Sequence, residues 1–372
     1  MISTLNKLED IDSIYKKYNF NPVSHNIKSK KQFQKLEKQR ITLFEDFLKI
    51  PTEVFFKKTL LEFGAASGEK SLVYSKWGAK LTSVEPNKKF LKQLKKNFSF
   101  FKKKLIIFEN NIEKFNLKKK YDIIILENFL SSTKSRKLSL NKVTKLLNNN
   151  GYLIFTYHNK LGFFNEYLKK FILSYYLNKF KITSLEKSYQ VSKLFFSKVF
   201  KKLKTTRSFK KYMLDQFLIN NFLHKTFWNI DEIFNICNKN NLRFYSSYPN
   251  YNTLECGWHK DVKSNKKFNK NILENYSTIE HSFIDKNFQF TQSDVKIVKI
   301  MLNLMINSCQ TNQFEKNIKK MLKIKIPKNN KNKFFKYLRK LLLNINYGNY
   351  KKFSDKTTWG FPNHYIVFRK TK

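Results

Sequence analysis

A turn of very small residues stands at the end of the first predicted strand, in the sequence Leu61-Glu62-Phe63-Gly64-Ala65-Ala66-Ser67-Gly68-Glu69. Small side chains let a ligand approach the backbone closely, at the carboxyl edge where open α/β sheets bind ligands. A dinucleotide site would need glycines where this chain has Ala66 and Glu69, and a carboxylate at the helix start would repel a pyrophosphate. A phosphate-binding loop is also excluded, since no Gly-Lys-Ser/Thr follows at the required spacing. The turn therefore favours a nucleotide cofactor without phosphates.

An acidic residue, Glu85, closes the second predicted strand in the sequence Val84-Glu85-Pro86-Asn87. At the tip of the strand beside the first one, a carboxylate can accept hydrogen bonds from both hydroxyls of a ribose. A lone glutamate at this place would be interpreted as a solvated turn residue. Its distance from the small-residue turn favours a binding role instead.

Strands and helices alternate along the first part of the chain. Residues 121–126 form a continuous β-branched run, which is typical of a buried parallel strand. Alternation at this rhythm predicts a parallel sheet with right-handed crossovers. The fold class is thus a doubly wound α/β fold with a mostly parallel seven-stranded sheet, its strands predicted at 59–63, 80–84, 104–108, 121–126, 152–156, 242–248 and 279–290.

Three parts follow from the element pattern. Residues 1–58 form an N-terminal helical segment, and 59–290 form the ligand-binding domain. That domain carries a helical insertion at 160–228, which is too long for a loop and is expected to cap an acceptor pocket. Residues 291–372 form a basic, mainly helical C-terminal extension.

These motifs resemble those of class I S-adenosylmethionine-dependent methyltransferases, which have an acidic-x-Gly-x-Gly-x-Gly turn and an acidic residue closing the second strand. Ala66 replaces the middle glycine, and Asn111 stands where the family has an aspartate beside adenine. The resemblance implies a Rossmann-like domain that binds S-adenosyl-L-methionine. The cofactor-binding residues that it implies are Glu62, Gly64, Ala66, Gly68, Glu85, Asn111, Ile112 and Glu127.

The reaction implied by the resemblance is methyl transfer from a sulfonium to a nucleophile, with positioning and desolvation as the main contributions of the enzyme. A general base is needed only if the acceptor must lose a proton. We predict His158 and Glu127 as catalytic candidates, because they follow strands five and four. The alternative for His158 is a loop histidine bonded to backbone, and for Glu127 it is a contact to the methionine amino group.

The absence of certain motifs narrows the class of methyl acceptor. The fourth strand is followed by Glu127-Asn128-Phe129-Leu130 rather than by the Asp/Asn-Pro-Pro-Tyr of enzymes that methylate base amines. We expect an O or N nucleophile of a small-molecule or glycan-like acceptor, and the alternatives are an RNA methyltransferase and a non-catalytic scaffold. The aromatic residues at 163–176 either stack on bases or, with their helical spacing, pack in a core.

The net charge of +47 would attract anionic partners. The excess of lysine runs through every part of the chain, as a biased composition rich in Lys, Asn, Phe and Ile would produce. No signal peptide or membrane-length apolar run is evident, so we expect a cytoplasmic protein without a membrane partner. Cys256 and His259 are spaced like half a metal site without a second half, so no metal is expected.

Overall fold

The chain divides into two units, each assembled from three stretches of sequence. One, the sheet unit, comprises Val23–Tyr157, Thr226–Ser277 and Asn363–Lys372, and the other, the helical unit, comprises Met1–Pro22, His158–Lys225 and Thr278–Pro362. The structure, a computed structural model, describes residues 27, 29–116, 118–130, 133, 135–201, 207–218, 226–252, 264–326, 333–346 and 360–371.

The sheet unit alternates strands and helices as the sequence predicts. Its first helix begins at Ser29, whose hydroxyl accepts the Gln32 amide, and its third begins at Asn87, whose side chain accepts the amides of Lys89 and Phe90. The elements in chain order are α1 Lys30–Ile41, β1 Thr59–Phe63, α2 Glu69–Lys76, β2 Lys80–Val84, α3 Lys88–Phe100, β3 Ile106–Phe108, β4 Tyr121–Leu126, α4 Arg136–Lys145 and β5 Leu147–His158, which ends at the first residue of the helical unit.

The helical unit contains most of the predicted cap insertion and of the C-terminal part. Its first helices are α5 Phe164–Lys179, α6 Leu185–Lys201 and α7 Phe209–Met213. The chain then returns to the sheet unit and forms α8 Ile230–Lys239, β6 Leu242–Tyr248 and α9 Asn265–Ile279. The remaining helices of the helical unit are α10 Gln292–Thr311, α11 Phe314–Leu322 and α12 Lys333–Asn346. A capping box starts α10, where Thr291 and Asp294 bond each other's backbone amides. Among the described residues, no helix has the length and apolarity needed to cross a membrane.

The sheet has seven strands in the order β3-β2-β1-β4-β5-β7-β6, where β7 is Asn363–Lys370. Strand β1 pairs in parallel with β2 and β4, and the β2–β3 and β4–β5 pairs are parallel too. Strand β7 pairs antiparallel with β6. The α/β fold class is therefore confirmed, and the reversal of strand order between β1 and β4 creates the crevice where such sheets bind ligands.

The predicted seventh strand was placed wrongly. Residues 279–290 hold the end of α9 and a short 3₁₀ helix at Glu280–Phe283 rather than a strand. The seventh strand instead comes from the apolar run at the chain terminus, with Ile366, Val367 and Phe368 fully buried. A buried strand shows as a short apolar run in either place, and strand pairing between segments so far apart leaves no local signal.

The aromatic residues at the start of α5 are packed. Phe164, Tyr167 and Phe171 are 0% exposed, and Phe163 and Tyr175 are nearly so. Phe171 and Tyr175 both contact Phe314 of α11. For these five rings packing is therefore confirmed, because a ring without exposed faces has no surface for a base; Tyr176 is half-buried.

Candidate functional site

The turn between β1 and α2 is held in a conformation that favours glycine. Gly64 and Gly68 have φ of 71° and 78°, and Ala66 between them has φ of 49°. A Cβ on Gly64 would lie 2.6 Å from Cδ2 of Phe129, and one on Gly68 would lie 2.8 Å from Cδ1 of Leu94. A side chain at either glycine would therefore strain the backbone and force Phe129 or Leu94 to shift, while alanine is accommodated at the middle position.

Glu85 lies directly beside this turn because β1 and β2 are parallel neighbours. Its Oε2 accepts the Ala66 amide at 2.9 Å and its Oε1 accepts the Asn87 amide at 2.9 Å. The side chain is only 5% exposed. The predicted proximity of Glu85 and the small-residue turn is thus present, and the carboxylate is fixed by backbone donors.

Two further carboxylates flank the same turn. Glu62, 4% exposed in β1, accepts the Ser71 hydroxyl from α2. Burial raises the pKa of Glu62 to about 7, against the lowering effect of that hydrogen bond. Glu69 accepts the Ser67 hydroxyl on both oxygens. Glu62 therefore titrates near neutral pH, unlike an ordinary glutamate.

The segment after β3 holds the predicted adenine-side residues. Ile112 is buried at 1% exposure. Asn111 uses its Oδ1 to accept the Lys114 amide at 2.9 Å. The asparagine therefore already has a structural role in its own turn, which an aspartate could fill equally well.

Glu127, at the end of β4, is the centre of a buried polar cluster. Its Oε1 accepts Nη1 of Arg40 at 2.8 Å and the hydroxyl of Tyr365. Its Oε2 lies 3.1 Å from Nζ of Lys70 and accepts the Tyr74 hydroxyl at 3.4 Å. Tyr74 in turn accepts Nη2 of Arg40. Each carboxylate oxygen thus has one cationic and one hydroxyl donor.

These cations determine the protonation state of Glu127. Burial alone would raise the pKa of its carboxyl group, but the charges of Arg40 and Lys70 and the hydrogen bonds outweigh burial and hold the pKa well below the usual range. Arg40 stays protonated, since Glu127 outweighs the effect of burial. A carboxylate with such low proton affinity is a poor general base and a good partner for a cation.

Sequence reasoning missed the partners of Glu127. Arg40 lies in α1 and is buried at 5% exposure, Tyr74 and Lys70 lie in α2, and Tyr365 lies in β7. An arginine on a mainly polar helix gives no sign of burial in the sequence. The only available signal was chemical, namely that a buried carboxylate after β4 needs a cation.

His158 is the last residue of β5, and its ring packs against Phe163 with centroids 4.9 Å apart. It is half-buried. It begins the helical unit, whereas Glu127 belongs to the sheet unit. The catalytic assignment of His158 stays a prediction.

A second buried cluster joins the ends of three strands and was also missed. The hydroxyl of Tyr157, in β5, lies 2.9 Å from that of Tyr251, which follows β6, and both contact Nδ1 of His364 in β7. All three residues are 0% exposed. The cluster ties the terminal strand to its neighbours in the sheet.

The described residues contain no group of three or more His, Cys, Asp or Glu that could hold a metal ion. Cys256 and His259, the half-site considered from the sequence, lie outside the described residues. Burial in apolar surroundings raises the pKa of the Cys237 thiol, so it is not a reactive thiolate.

Comparison with known protein families shows which family the chain belongs to. The profile of a methyltransferase domain family matches residues 32–244, more than half of the chain. The chain belongs to this family. The expectation of a class I S-adenosylmethionine-dependent methyltransferase is therefore confirmed. The match begins within α1 and ends in β6, so it includes the glycine turn, Glu85 and Glu127 with Arg40, Lys70 and Tyr74, but not Tyr365. No curated protein matches the sequence.

Solved structures of methyltransferases are similar over part of this methyltransferase-family chain. TehB from Haemophilus influenzae is 17% identical with a TM-score of 0.28, over 40% of this chain and 45% of TehB. An S-adenosylmethionine-dependent methyltransferase from Clostridium acetobutylicum is 14% identical with a TM-score of 0.29, over 40% and 57% of the two chains. The glycopeptide N-methyltransferase MtfA, complexed with S-adenosyl-L-methionine, is 14% identical with a TM-score of 0.26, over 28% and 48%. The chain spans about half the length of these structures.

Proposed function

We propose that this methyltransferase-family protein transfers a methyl group from S-adenosyl-L-methionine to an O or N nucleophile of a small-molecule or glycan-like acceptor. The observation that carries the proposal is the convergence of the Gly64–Gly68 turn, Glu85 and Glu127 at one edge of the sheet. Glycines let the cofactor approach the turn, and Glu85 is the acceptor for its ribose hydroxyls.

The Arg40–Glu127 pair fits the amino-acid end of the cofactor. A zwitterion carries one carboxylate and one ammonium group, and Arg40 and Glu127 carry the charges opposite to these. Nε of Arg40 is buried and has no hydrogen-bond partner among the described residues. A ligand carboxylate would supply an acceptor for that donor, whose burial without one costs about 1–3 kcal/mol.

The chemistry is divided between the cofactor and the chain. The cofactor supplies, when bound, an electrophilic methyl group on a sulfonium. The chain orients it through the turn, Glu85 and Glu127, and excludes water around it with apolar side chains such as Phe129, which lies against Gly64. Glu127 is assigned to binding rather than to proton removal because its pKa is held low. His158 is the proposed base where an acceptor must lose a proton.

A small acceptor is favoured over RNA by the helical unit. Two of the rings that would stack on bases are buried against α12 and α11, with Phe164 on Phe334 and Phe171 on Phe314. Stacking on aromatic platforms is the usual means of holding single-stranded RNA. These rings therefore support a packed helical core rather than a base-binding surface.

The test is calorimetric titration of S-adenosylhomocysteine into the wild-type protein, the variant Glu85→Ala and the control Glu274→Ala. Glu274 is an exposed carboxylate on α9. We expect saturable binding by the wild type and the control, with affinity lowered at least about tenfold in Glu85→Ala, because two charge-assisted hydrogen bonds are lost. A folded wild type that does not bind S-adenosylhomocysteine would overturn the proposal.

A further inference from the structure

The terminal strand β7 contributes a side chain to the cluster around Glu127. Tyr365 is paired with Tyr248, the last residue of β6. Its hydroxyl donates to Oε1 of Glu127, the residue that directly follows β4. A residue near the end of the chain therefore reaches the edge of the sheet where the glycine turn lies.

We infer that Tyr365 is a positioning residue of the cofactor site, whose hydroxyl fixes the Glu127 carboxylate for the ammonium group of the cofactor. The inference rests on the proposed function and deepens it, because it assigns the terminal strand to recognition of the amino-acid end of the ligand. Tyr365 acts through Glu127 and is not itself a catalytic residue.

The arrangement of donors explains why a neutral donor is needed here. Oε1 of Glu127 is shared by Arg40 and Tyr365. When Nε of Arg40 donates to a ligand carboxylate, its Nη1 can stay bound to Glu127. The Tyr365 hydroxyl also holds Oε1 in place, and since the hydroxyl is uncharged it does not repel an incoming ammonium group.

Tyr365 can fill this role over the whole physiological range of pH. Burial and the adjacent Glu127 charge raise the pKa of its hydroxyl well above the ordinary value of 10.0. The titratable groups facing it include Glu127, Arg40 and Tyr74, and the Arg40 charge only partly offsets the rise in the pKa. The hydroxyl therefore stays a donor.

Packing and hydrogen bonding by Tyr365 can be separated experimentally. The ring packs against the hydrophobic core of the sheet unit. Tyr365→Phe keeps that ring and removes only the hydroxyl. Tyr245→Phe is a matched control, because Tyr245, on the neighbouring strand β6, donates its hydroxyl to the backbone carbonyl of Lys49 rather than to Glu127.

The experiment compares two ligands by calorimetry, S-adenosylhomocysteine and 5′-methylthioadenosine, which has the nucleoside and thioether but no amino-acid end. Tyr365→Phe is expected to bind S-adenosylhomocysteine about tenfold more weakly, as for a lost hydrogen bond to a charged group. It should bind 5′-methylthioadenosine within twofold of the wild type. Tyr245→Phe should bind both ligands like the wild type.

Three other outcomes overturn the inference in distinguishable ways. Equal weakening of both ligands in Tyr365→Phe would mean that the hydroxyl acts on the fold. Unchanged binding of both would mean that Glu127 needs no positioning, while the proposed function would stand. A wild type that binds neither ligand would refute the proposed function, and the inference with it.

Discussion

Glu62 is a buried carboxyl group whose ionisation opposes folding. Its pKa is raised from 4.5 to about 7 in the folded chain by burial. Its contribution to stability is present below pH 4.5 and is lost as the pH rises to 7, since only the unfolded chain ionises easily. The loss is about 1.4 kcal/mol per pH unit, or about 3 kcal/mol in all.

Glu62→Gln should remove this dependence, because glutamine stays neutral and can still accept the Ser71 hydroxyl. The free energy of unfolding of Glu62→Gln minus that of the wild type should therefore rise by about 2–3 kcal/mol between pH 5 and pH 8. Urea unfolding at the two pH values measures it, with the exposed Glu274→Gln as control. Parallel pH profiles for Glu62→Gln and wild type would show that Glu62 ionises normally.

The site residues that could be predicted from sequence were those whose positions follow from the order of strands and helices. Gly64 and Glu85 stand at the ends of adjacent strands and Gly68 caps α2, so their proximity follows from the alternation of elements. Arg40 and Tyr365 could not be predicted. They meet Glu127 from 87 and 238 positions away in sequence, and only the packing of α1 and β7 brings them there.

At the level of elements, the β1–α2 turn depends on the left-handed backbone at Gly64. Gly64→Ala imposes an αL penalty of about 1–2 kcal/mol and an overpacking cost of about 1–3 kcal/mol against Phe129. We expect a loss of about 2–4 kcal/mol in the free energy of unfolding by urea, together with weaker binding of S-adenosylhomocysteine. The double variant Gly64→Ala/Phe129→Ala should regain part of the lost stability, since it removes the clash but not the backbone strain.

At Ala66, in the same turn, the opposite substitution of alanine by glycine can be made. Ala66 already adopts φ of 49°, so Ala66→Gly relieves backbone strain while adding entropy to the unfolded chain. These effects nearly cancel, and stability should change by less than about 1 kcal/mol. A Gly64→Ala variant as stable as Ala66→Gly would show that the turn relaxes and that the glycine is not required.

The fold was predictable where secondary structure is dictated locally. Strands β1, β2, β4 and β6 lie at their predicted residues because each is a short apolar run between turn or helix signals. The seventh strand does not lie at its predicted residues, since its pairing with β6 joins Leu242 to Lys370 across a long helical stretch. Periodicity identifies a strand but not its partner, so the sheet order had to come from the structure.

At the scale of the whole molecule, a net charge of +47 predicts affinity for any polyanion, whether or not it is a substrate. Such binding is driven by counterion release and therefore depends steeply on salt. If the charge reflects composition and the acceptor is small, RNA binding and methyl transfer will respond differently to ionic strength. RNA binding and methyl transfer must therefore be measured at the same salt concentrations to distinguish an RNA acceptor from a small one.

We expect the affinity for a fluorescent single-stranded RNA, measured by anisotropy, to fall by on the order of 10³ between about 50 and 200 mM salt, as for 6–10 phosphate contacts. An uncharged morpholino oligomer of the same sequence is the control and should not bind. Transfer of labelled methyl from S-adenosyl-L-methionine to a panel of neutral phenols and amines should yield a product whose rate changes little over that range, while the RNA stays unlabelled. Labelled RNA would instead make RNA the acceptor, because attraction between charges alone cannot place a base at the methyl group.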